Sequence, residues 1–321
     1  MGLLVEGKWV DKWYDTESTD GHFVRQDSSF RNWITSDGSA GPTGDSGFKA
    51  ESGRYHLYVS YACPWAHRTL IFRALKKLED HIEVSAVEPL MLENGWTFET
   101  PDPILNADYM WQVYKAAKSD YTGRATVPVL WDKKTNTIVS NESSEIIRMF
   151  NTAFNDLTGS DLDFYPEHLR DQIDELNDRV YKTVNNGVYK AGFATTAKAY
   201  EEAFDELFET LDFLEDRLGK QRYLAGEQIT EADWRLFTTL LRFDPVYVGH
   251  FKCNLKRIED YPNLFNYLKE LYQVPGVEET VKMDVIKQHY YGSHDTINPT
   301  GIVPLGPELH LSDPHDRTRF K

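Results

Sequence analysis

The first residues whose types and spacing suggest chemistry are Cys63 and Pro64. Proline is favoured at the first position of a helix, so the cysteine is predicted to precede a helix directly. A sulfur at that position faces the exposed amides of the helix N-terminus, which favour the thiolate and lower the pKa of the thiol. We therefore predict that Cys63 is a nucleophile. The alternative is a buried, inert structural cysteine.

The residue three positions after Cys63 is Ala66, so the sequence lacks a Cys-x-x-Cys motif here. Cys63 has no neighbouring cysteine with which to close a disulfide. A mixed disulfide on its sulfur must therefore be resolved by an external thiol. His67, in the same predicted helix, either tunes Cys63 or is an ordinary surface histidine.

Val127 and Pro128 open a predicted strand. Proline is tolerated at the start of a strand, and the peptide bond before it adopts the cis form at modest cost. A cis bond here would aim the amide and carbonyl of Val127 outward, where a short peptide can pair with them like an added strand. The alternative is an ordinary proline on an edge strand.

Glu142 and Ser143 stand at the start of another predicted helix. The serine hydroxyl and the free amides of the helix suit a carboxylate, and the glutamate suits an ammonium group, so the pair matches the amino-acid end of a ligand. Simple helix capping is the alternative. In chain order the sequence thus offers a sulfur, a backbone clamp and an amino-acid clamp, which match the three parts of glutathione.

The elements that must position these residues form a small mixed sheet. A strand over 54–60, a helical run over 69–78 and a strand over 81–87 make a β-α-β unit with parallel pairing. Residues 126–132 and 136–140 predict a hairpin. The following helix is predicted to be capped by Asn141 or a serine.

From about residue 165 the pattern becomes helical, with apolar residues at intervals near 3.6. Thr230 and Asp233 have the spacing of a capping box, so a helix is predicted to start at Thr230. The acidic run over 201–216 is predicted to be a solvated helix face. Residues 1–50 and 291–321 are predicted to be irregular, the first extension draping its aromatic side chains over the rest of the chain.

Composition narrows the class of protein. The 321 residues carry 35 Lys and Arg against 51 Asp and Glu, a net charge of −16, which argues against nucleic acid or an anionic membrane as partner. The two cysteines cannot build a disulfide framework, so we expect a reducing cytoplasm. No apolar run approaches the roughly 18 residues of a membrane span. The ten histidines show no ligand spacing, so no metal is expected.

Several motifs resemble those of glutathione transferases: Cys-Pro-Trp-Ala at 63–66, Thr-Val-Pro-Val-Leu at 126–130, Ser-Asn-Glu-Ser at 140–143 and Leu-Ala-Gly-x-x-x-Thr-x-Ala-Asp at 224–233. A narrower resemblance, to the xi class or glutathionyl-hydroquinone reductases, rests on residues 61–68, 93–96, 185–194, 244–247 and 290–299. It covers nearly the whole chain. It implies an α/β plus all-α architecture: a thioredoxin-like glutathione-binding domain over 51–155 and a helical domain over 165–290.

The resemblance also implies functional residues. Cys63 would be the nucleophile and Tyr189 the proton donor to an aromatic substrate, while Tyr247 and Tyr290 would complete the pocket and help to keep Cys63 anionic. The residues that would hold glutathione are Trp96, Arg124, Val127, Glu142 and Ser143. As alternatives, Arg124 is a solvated turn residue, and any one of the tyrosines is a core aromatic with its hydroxyl satisfied.

The implied activity is the glutathione-dependent reduction of glutathionyl-hydroquinones through a mixed disulfide on Cys63, with release of oxidised glutathione, by a cytoplasmic homodimer. One rival is an omega-like thioltransferase or dehydroascorbate reductase, against which the three tyrosines weigh. The other is a non-catalytic scaffold with the same fold, against which Cys63 and Pro64 weigh. Cys253 is assigned no role.

Overall fold

The computed structural model describes residues 2–320. They form two units that interleave along the chain. The first unit contains residues 2–13, 27–162 and 279–293, and the second contains residues 14–26, 163–278 and 294–320.

The first unit contains all of the regular strands found between residues 2 and 320. In chain order they are β1 (Leu3–Val5), β2 (Lys8–Val10), β3 (Tyr55–Val59), β4 (Glu83–Ala86), β5 (Met91–Leu92), β6 (Gly95–Trp96), β7 (Val129–Asp132) and β8 (Thr137–Ser140). Its helices are α1 (Pro64–Leu75), α2 (Met110–Ala117), α3 (Ser143–Thr152), α4 (Asn155–Thr158) and α10 (Met283–Ser293). The second unit contains α5 (Arg170–Val180), α6 (Gly187–Gly192), α7 (Ala197–Leu218), α8 (Glu231–Arg242) and α9 (Pro262–Tyr272).

The main sheet has the strand order β4-β3-β7-β8. Strand β4 pairs parallel to β3, and β7 and β8 add antiparallel neighbours. All five residues of β3 are buried, as expected for the centre of a sheet covered on both faces. The predicted β-α-β unit and the predicted hairpin are both confirmed.

The start of α3 differs from the prediction. Asn141 or a serine was expected to cap this helix, but the capping residue is Glu142. Its carboxylate accepts a hydrogen bond from the amide of Ser144 at 3.0 Å and another from the Ser144 hydroxyl at 2.8 Å. The Glu142 carboxylate satisfies an exposed amide of the helix start, and its negative charge complements the helix dipole.

The N-terminal extension is more regular at its start than predicted. Strands β1 and β2 form a hairpin whose two-residue turn, Glu6 and Gly7, has φ values of 48° and 73°. Two central residues with positive φ match the twist of paired strands, which is why this turn closes a hairpin. The prediction of an irregular segment was therefore wrong for residues 3–10. Sequence analysis also missed β5, β6 and α2.

Part of the extension protects the edge of the main sheet. Arg31 forms a bridge to Ser140, and the amide of Asn32 donates to the carbonyl of Val139 at 2.9 Å. Both partners lie in β8, the edge strand. An unpaired strand edge is a site for unwanted pairing, and this contact covers it.

In the second unit the predicted helix start is confirmed. Thr230 and Asp233 form a reciprocal capping box, and the Thr230 amide donates to the Asp233 carboxylate at 2.7 Å. The acidic residues of α7 lie mostly on its exposed face, as predicted. The C-terminal tail is irregular apart from a turn at Arg317–Arg319. Arg317 is fully buried, and it anchors the tail by donating to the carbonyls of Leu218, Gln221 and Arg222.

Candidate active site

Cys63 occupies the position directly before α1, with Pro64 as the first helical residue. Its amide donates to the carbonyl of Ser60 at 3.1 Å, and its own carbonyl accepts from the amide of His67 at 2.9 Å. The side chain is half-buried. The predicted placement of the sulfur at a helix N-terminus is therefore confirmed.

The peptide bond between Val127 and Pro128 is cis. The side chain of Val127 is buried, and its carbonyl oxygen lies 3.5 Å from the sulfur of Cys63. The predicted sulfur and the predicted backbone clamp are thus neighbours in space. Pairing of the Val127 backbone with a peptide ligand remains a prediction.

Glu142 and Ser143 lie at the N-terminus of α3. The Glu142 carboxylate accepts hydrogen bonds from Ser144 and from the hydroxyl of Ser28, the latter at 3.0 Å. Burial raises the pKa of Glu142, but these hydrogen bonds and the positive charge of Arg68 outweigh burial and hold the pKa below its usual value. The capping role is therefore confirmed, and the anionic carboxylate also suits a ligand ammonium group.

Sequence analysis missed Arg68, a buried residue of α1. Its guanidinium donates to the Ser143 hydroxyl at 3.4 Å and stacks on the ring of Trp65 at 4.6 Å. Arg68 therefore places a positive charge beside the N-terminus of α3, where a ligand carboxylate is predicted. The signal available in the sequence was an arginine in the first half of this helix, five positions after the cysteine.

Trp96, in β6, is buried and stacks on the ring of His289, with the ring centroids 4.7 Å apart. Nδ1 of His289 lies 2.9 Å from the carbonyl oxygen of Pro89. A carbonyl only accepts, so Nδ1 carries a proton. Tyr290 is buried next to His289, with the two rings edge to face at 5.1 Å. Sequence analysis did not find His289.

The structure contradicts two of the alternatives that the sequence left open. His67 is fully buried rather than on the surface, and its Nε2 is satisfied by a 2.8 Å hydrogen bond with the Thr280 hydroxyl. Arg124 is half-buried and donates to the carbonyls of Gly2 and Lys12, so it holds the N-terminal hairpin and is not a solvated turn residue. Its contact with glutathione remains a prediction.

In the second unit, Tyr189 and Tyr247 belong to one aromatic cluster. Their ring centroids are 6.1 Å apart, and both rings contact Phe251, Tyr189 at 5.5 Å and Tyr247 at 5.4 Å. Tyr247 is fully buried, whereas Tyr189 is half-buried. Of these two tyrosines, Tyr189 is the one with more access to a small molecule. The proton-donor role of Tyr189 and the supporting role of Tyr247 remain predictions.

Both tyrosines are placed by π-helical turns. One turn spans Tyr181–Asn185 and leads into α6, which carries Tyr189. The other spans Phe243–Tyr247 and ends on Tyr247 itself. Such turns insert an extra residue into a helix and are frequent at functional sites. Helical periodicity alone did not indicate them.

Disulfides, metal-ligand clusters and membrane-spanning helices would each indicate a different class of protein. Neither cysteine forms a disulfide, and burial raises the pKa of the Cys253 thiol far above its usual value. Across residues 2–320, no three His, Cys, Asp or Glu side chains are grouped as metal ligands. None of the helices in the same part of the chain combines the length and the apolar character needed to cross a bilayer.

Residues 62–153 match the family model of the glutathione S-transferase N-terminal domain, and residues 197–270 match that of the C-terminal domain. Among curated relatives, a glutathionyl-hydroquinone reductase of Escherichia coli K12 is 60% identical, and the match covers 99% of this chain and 98% of the relative. A glutathionyl-hydroquinone reductase of Sphingobium chlorophenolicum is 55% identical, with coverages of 97% and 98%.

Solved structures place the chain in the same family. The glutathione-bound structure of YqjG, a glutathione transferase homolog from Escherichia coli K-12, is 56% identical and superposes with a TM-score of 0.91, over 99% of this chain and 100% of that chain. The xi glutathione transferase of Phanerochaete chrysosporium is 57% identical, with a TM-score of 0.86 and coverages of 93% and 96%. The chain therefore belongs to the glutathione S-transferase family and, within it, to the xi class. The predicted family and fold class are confirmed.

Proposed function

We propose that this chain reduces glutathionyl-hydroquinones to hydroquinones with glutathione as co-substrate. The observation that carries the proposal is a half-buried sulfur at a helix N-terminus, 3.5 Å from the carbonyl oxygen of Val127 in the predicted backbone clamp. The names of the two curated relatives and the glutathione in the related structure support this substrate and co-substrate.

The first half-reaction uses the thiolate of Cys63. It attacks the glutathionyl sulfur of the conjugate, and the bond between that sulfur and the aromatic carbon breaks. The electron pair of the broken bond stays on the ring carbon, which takes a proton from the hydroxyl of Tyr189. The amides at the start of α1 favour the anionic sulfur that the attack requires.

The second half-reaction restores the enzyme. The thiolate of a second glutathione attacks the mixed disulfide on Cys63, a disulfide bond forms between the two glutathione sulfurs, and the Cys63 thiolate leaves. The residue that would be the resolving cysteine in a dithiol enzyme is Ala66. Reduction therefore depends on free glutathione.

The proposed binding of glutathione follows its chemical parts. The backbone of Val127 pairs with the central peptide, Ser143 and the α3 amides hold the α-carboxylate, and Glu142 holds the ammonium group. The hydrogen bonds that keep Glu142 anionic and the guanidinium of Arg68 beside Ser143 support this division of charge. The further proposed contacts are Trp96 and Arg124, and the proposed pocket aromatics are Tyr247 and Tyr290.

We also place the protein in the cytoplasm and expect a homodimer. Neither cysteine forms a disulfide, which suits a reducing compartment. Sedimentation velocity tests the assembly: a single species with twice the mass of the chain is expected, and a monomer at micromolar concentration would contradict it. Neither nucleic acid nor a membrane is an expected partner at a net charge of −16.

The test of the proposed function is an intact-mass measurement after mixing the protein with a glutathionyl-hydroquinone in the absence of free glutathione. One glutathionyl group per chain is expected, and peptide mapping should place it on Cys63. The variant Cys253→Ala should still gain the group. Formation of hydroquinone without any adduct on Cys63 would overturn the mechanism.

The same preparation distinguishes the rival activity. A thioltransferase or dehydroascorbate reductase would reduce a mixed disulfide or dehydroascorbate with a higher kcat/KM than a glutathionyl-hydroquinone. We expect the reverse order, because Tyr189 is positioned in an aromatic cluster suited to a flat substrate.

A further inference from the structure

A segment of the N-terminal extension, residues 14–26, belongs to the second unit. The ring of Phe23 lies 4.6 Å from that of Tyr14 and 5.4 Å from that of Phe193. The extension was predicted to drape its aromatics over other parts of the chain, and Phe23 does so. Two residues further along the segment, Arg25 reaches the helix that carries Tyr189.

Arg25 contacts two residues that lie one helical turn apart. Its Nε donates to Oδ1 of Asn186 at 2.9 Å, and the central carbon of its guanidinium lies 4.9 Å from the centroid of the Tyr189 ring. Asn186 directly precedes α6, and residues three positions apart share one face of a helix. A planar guanidinium donates from its edge and stacks with its face, so one side chain makes both contacts.

We propose that Arg25 is a positioning residue for Tyr189: it orients the phenol ring and places a positive charge beside it, and so speeds proton transfer to the departing aromatic carbon. This inference rests on the proposed function, in which Tyr189 is the proton donor.

The physical reason is the charge that develops during the transfer. As Tyr189 gives up its proton, negative charge builds on its oxygen and ring, and a nearby cation stabilises that charge more than it stabilises the neutral phenol. The contact with Asn186 fixes the guanidinium, so the charge is in place before the reaction begins. The benefit is therefore expected in kcat and not in the binding of glutathione.

A purely structural role is the alternative, and other contacts already hold the segment. The amide of Thr195 donates to the carbonyl of Gly21 at 3.0 Å, and the hydroxyl of Thr196 donates to the carbonyl of Asp20 at 3.0 Å. Nε2 of His22 makes a 3.0 Å hydrogen bond with the Glu202 carboxylate. Variants of Arg25 are therefore expected to keep the segment in place and the protein folded.

The experiment measures steady-state kinetics with a glutathionyl-hydroquinone for Arg25→Gln and Arg25→Lys, each in the natural and in the Tyr189→Phe background. Arg25→Gln should lower kcat about 10-fold, which lies between the values for an exposed and a desolvated cation–π contact, as suits the half-buried Arg25. It should change KM for glutathione less than about 2-fold. Arg25→Lys, which keeps the charge, should recover part of the loss. In the Tyr189→Phe background Arg25→Gln should have no further effect.

Arg170→Gln is the matched control. Arg170 also stacks on a tyrosine of the second unit, with its guanidinium 5.2 Å from the ring of Tyr165. Its loss should leave kcat unchanged. Each variant is normalised to the number of chains that gain a glutathionyl group on Cys63, so a partly unfolded preparation does not mimic a slow one.

The outcomes separate the two proposals. An unchanged kcat in Arg25→Gln, or the same fractional loss in both backgrounds, would overturn the role of Arg25 while the proposed function stands. A natural protein that forms no hydroquinone, or a Tyr189→Phe variant with full activity, would overturn the proton-donor chemistry and the role of Arg25 with it.

Discussion

The sulfur of Cys63 lies 3.5 Å from the carbonyl oxygen of Val127. A carbonyl oxygen only accepts a hydrogen bond, so this contact suits the protonated thiol, whereas the amides at the start of α1 favour the thiolate. Ionisation therefore exchanges the interaction with Val127 for the interaction with the helix. A ligand that pairs with the Val127 backbone would therefore also affect the balance between the thiol and the thiolate of Cys63.

Replacing Cys63 by serine should abolish the reaction. The serine hydroxyl remains protonated at neutral pH and is a much weaker nucleophile than a thiolate. We expect the turnover number to fall at least about 1,000-fold, with an unchanged far-UV circular dichroism spectrum. A turnover number equal to that of the natural protein would discard the mechanism.

The control for that variant is Cys253→Ala. Cys253 is fully buried, and burial raises the pKa of its thiol, so it should not react. Its removal should leave the turnover number unchanged and cost about 1 kcal/mol of unfolding free energy for the small cavity left behind. Iodoacetamide labelling at neutral pH should modify Cys63 alone in the folded protein.

Replacing Tyr189 by phenylalanine should slow the formation of hydroquinone. The ring and its packing on Phe251 are kept, and only the proton donor is lost. We expect a loss of about 100-fold in kcat, the lower part of the range for general acid catalysis, with less than about 2-fold change in glutathione affinity. An equal loss in both quantities would remove the proton-donor role. Tyr165→Phe is the matched control: Tyr165 is half-buried, and its hydroxyl donates to the Asp174 carboxylate.

Replacing Glu142 by glutamine should weaken glutathione binding. The glutamine cannot neutralise a ligand ammonium group, and a hydrogen bond to a charged group contributes about 1.5–3 kcal/mol, so KM for glutathione should rise about 10- to 100-fold. The control is Ser144→Ala, which removes the hydroxyl that donates to Glu142 but keeps the capping hydrogen bond from the backbone amide and the charge of Glu142. It should leave KM for glutathione unchanged, and an equal rise in KM for both variants would show that the charge of Glu142 does not bind glutathione.

Glu142 also links stability to pH. Its pKa in the folded protein is below the usual value, because the hydrogen bonds from Ser144 and Ser28 and the charge of Arg68 outweigh burial. A depressed pKa stabilises the fold above the ordinary carboxyl pKa, and this stabilisation is lost as the pH falls through the lowered value. Glu142→Gln should therefore cost about 1 kcal/mol at pH 7, typical of a cap, and progressively less in acid. A pH-independent difference in urea denaturation would contradict this.

Replacing Asp132 by asparagine should destabilise the first unit. Nη2 of Arg54 lies 2.6 Å from Oδ2 of Asp132, and both side chains are buried. Burial raises the pKa of Asp132, but the hydrogen bonds from Arg54, Thr135 and Lys134 outweigh it and leave the pKa lowered.

Loss of the carboxylate removes the buried partner of Arg54 and leaves only its ion pair with the half-exposed Glu51 at 3.0 Å. We expect this to cost about 3 kcal/mol of unfolding free energy. The cost should be full at neutral pH and should shrink as the pH falls through the lowered pKa of Asp132. Lys134→Ala removes only the exposed pair with Glu51 and should change stability by less than about 0.5 kcal/mol. Equal midpoints for the two variants in urea would show that the buried pair contributes nothing.

Sequence alone determined the local features. Proline after Cys63 placed the sulfur at a helix start, turn residues and alternating apolar residues located the main sheet, and the spacing of Thr230 and Asp233 marked the start of α8. Each of these signals depends on residues within a few positions of one another, where backbone preferences and capping chemistry act directly. The motifs shared with the family indicated the remaining predicted site residues.

Only the tertiary structure decided which distant residues meet. His289 against Trp96, Thr280 against His67 and Arg25 against Tyr189 join positions that no local pattern connects. The π-helical turns before Tyr189 and at Tyr247 were likewise not predictable from the sequence, since helical periodicity does not reveal where an extra residue is inserted. These contacts depend on the path of the whole chain, because side-chain packing selects partners by position in space and not by separation in sequence.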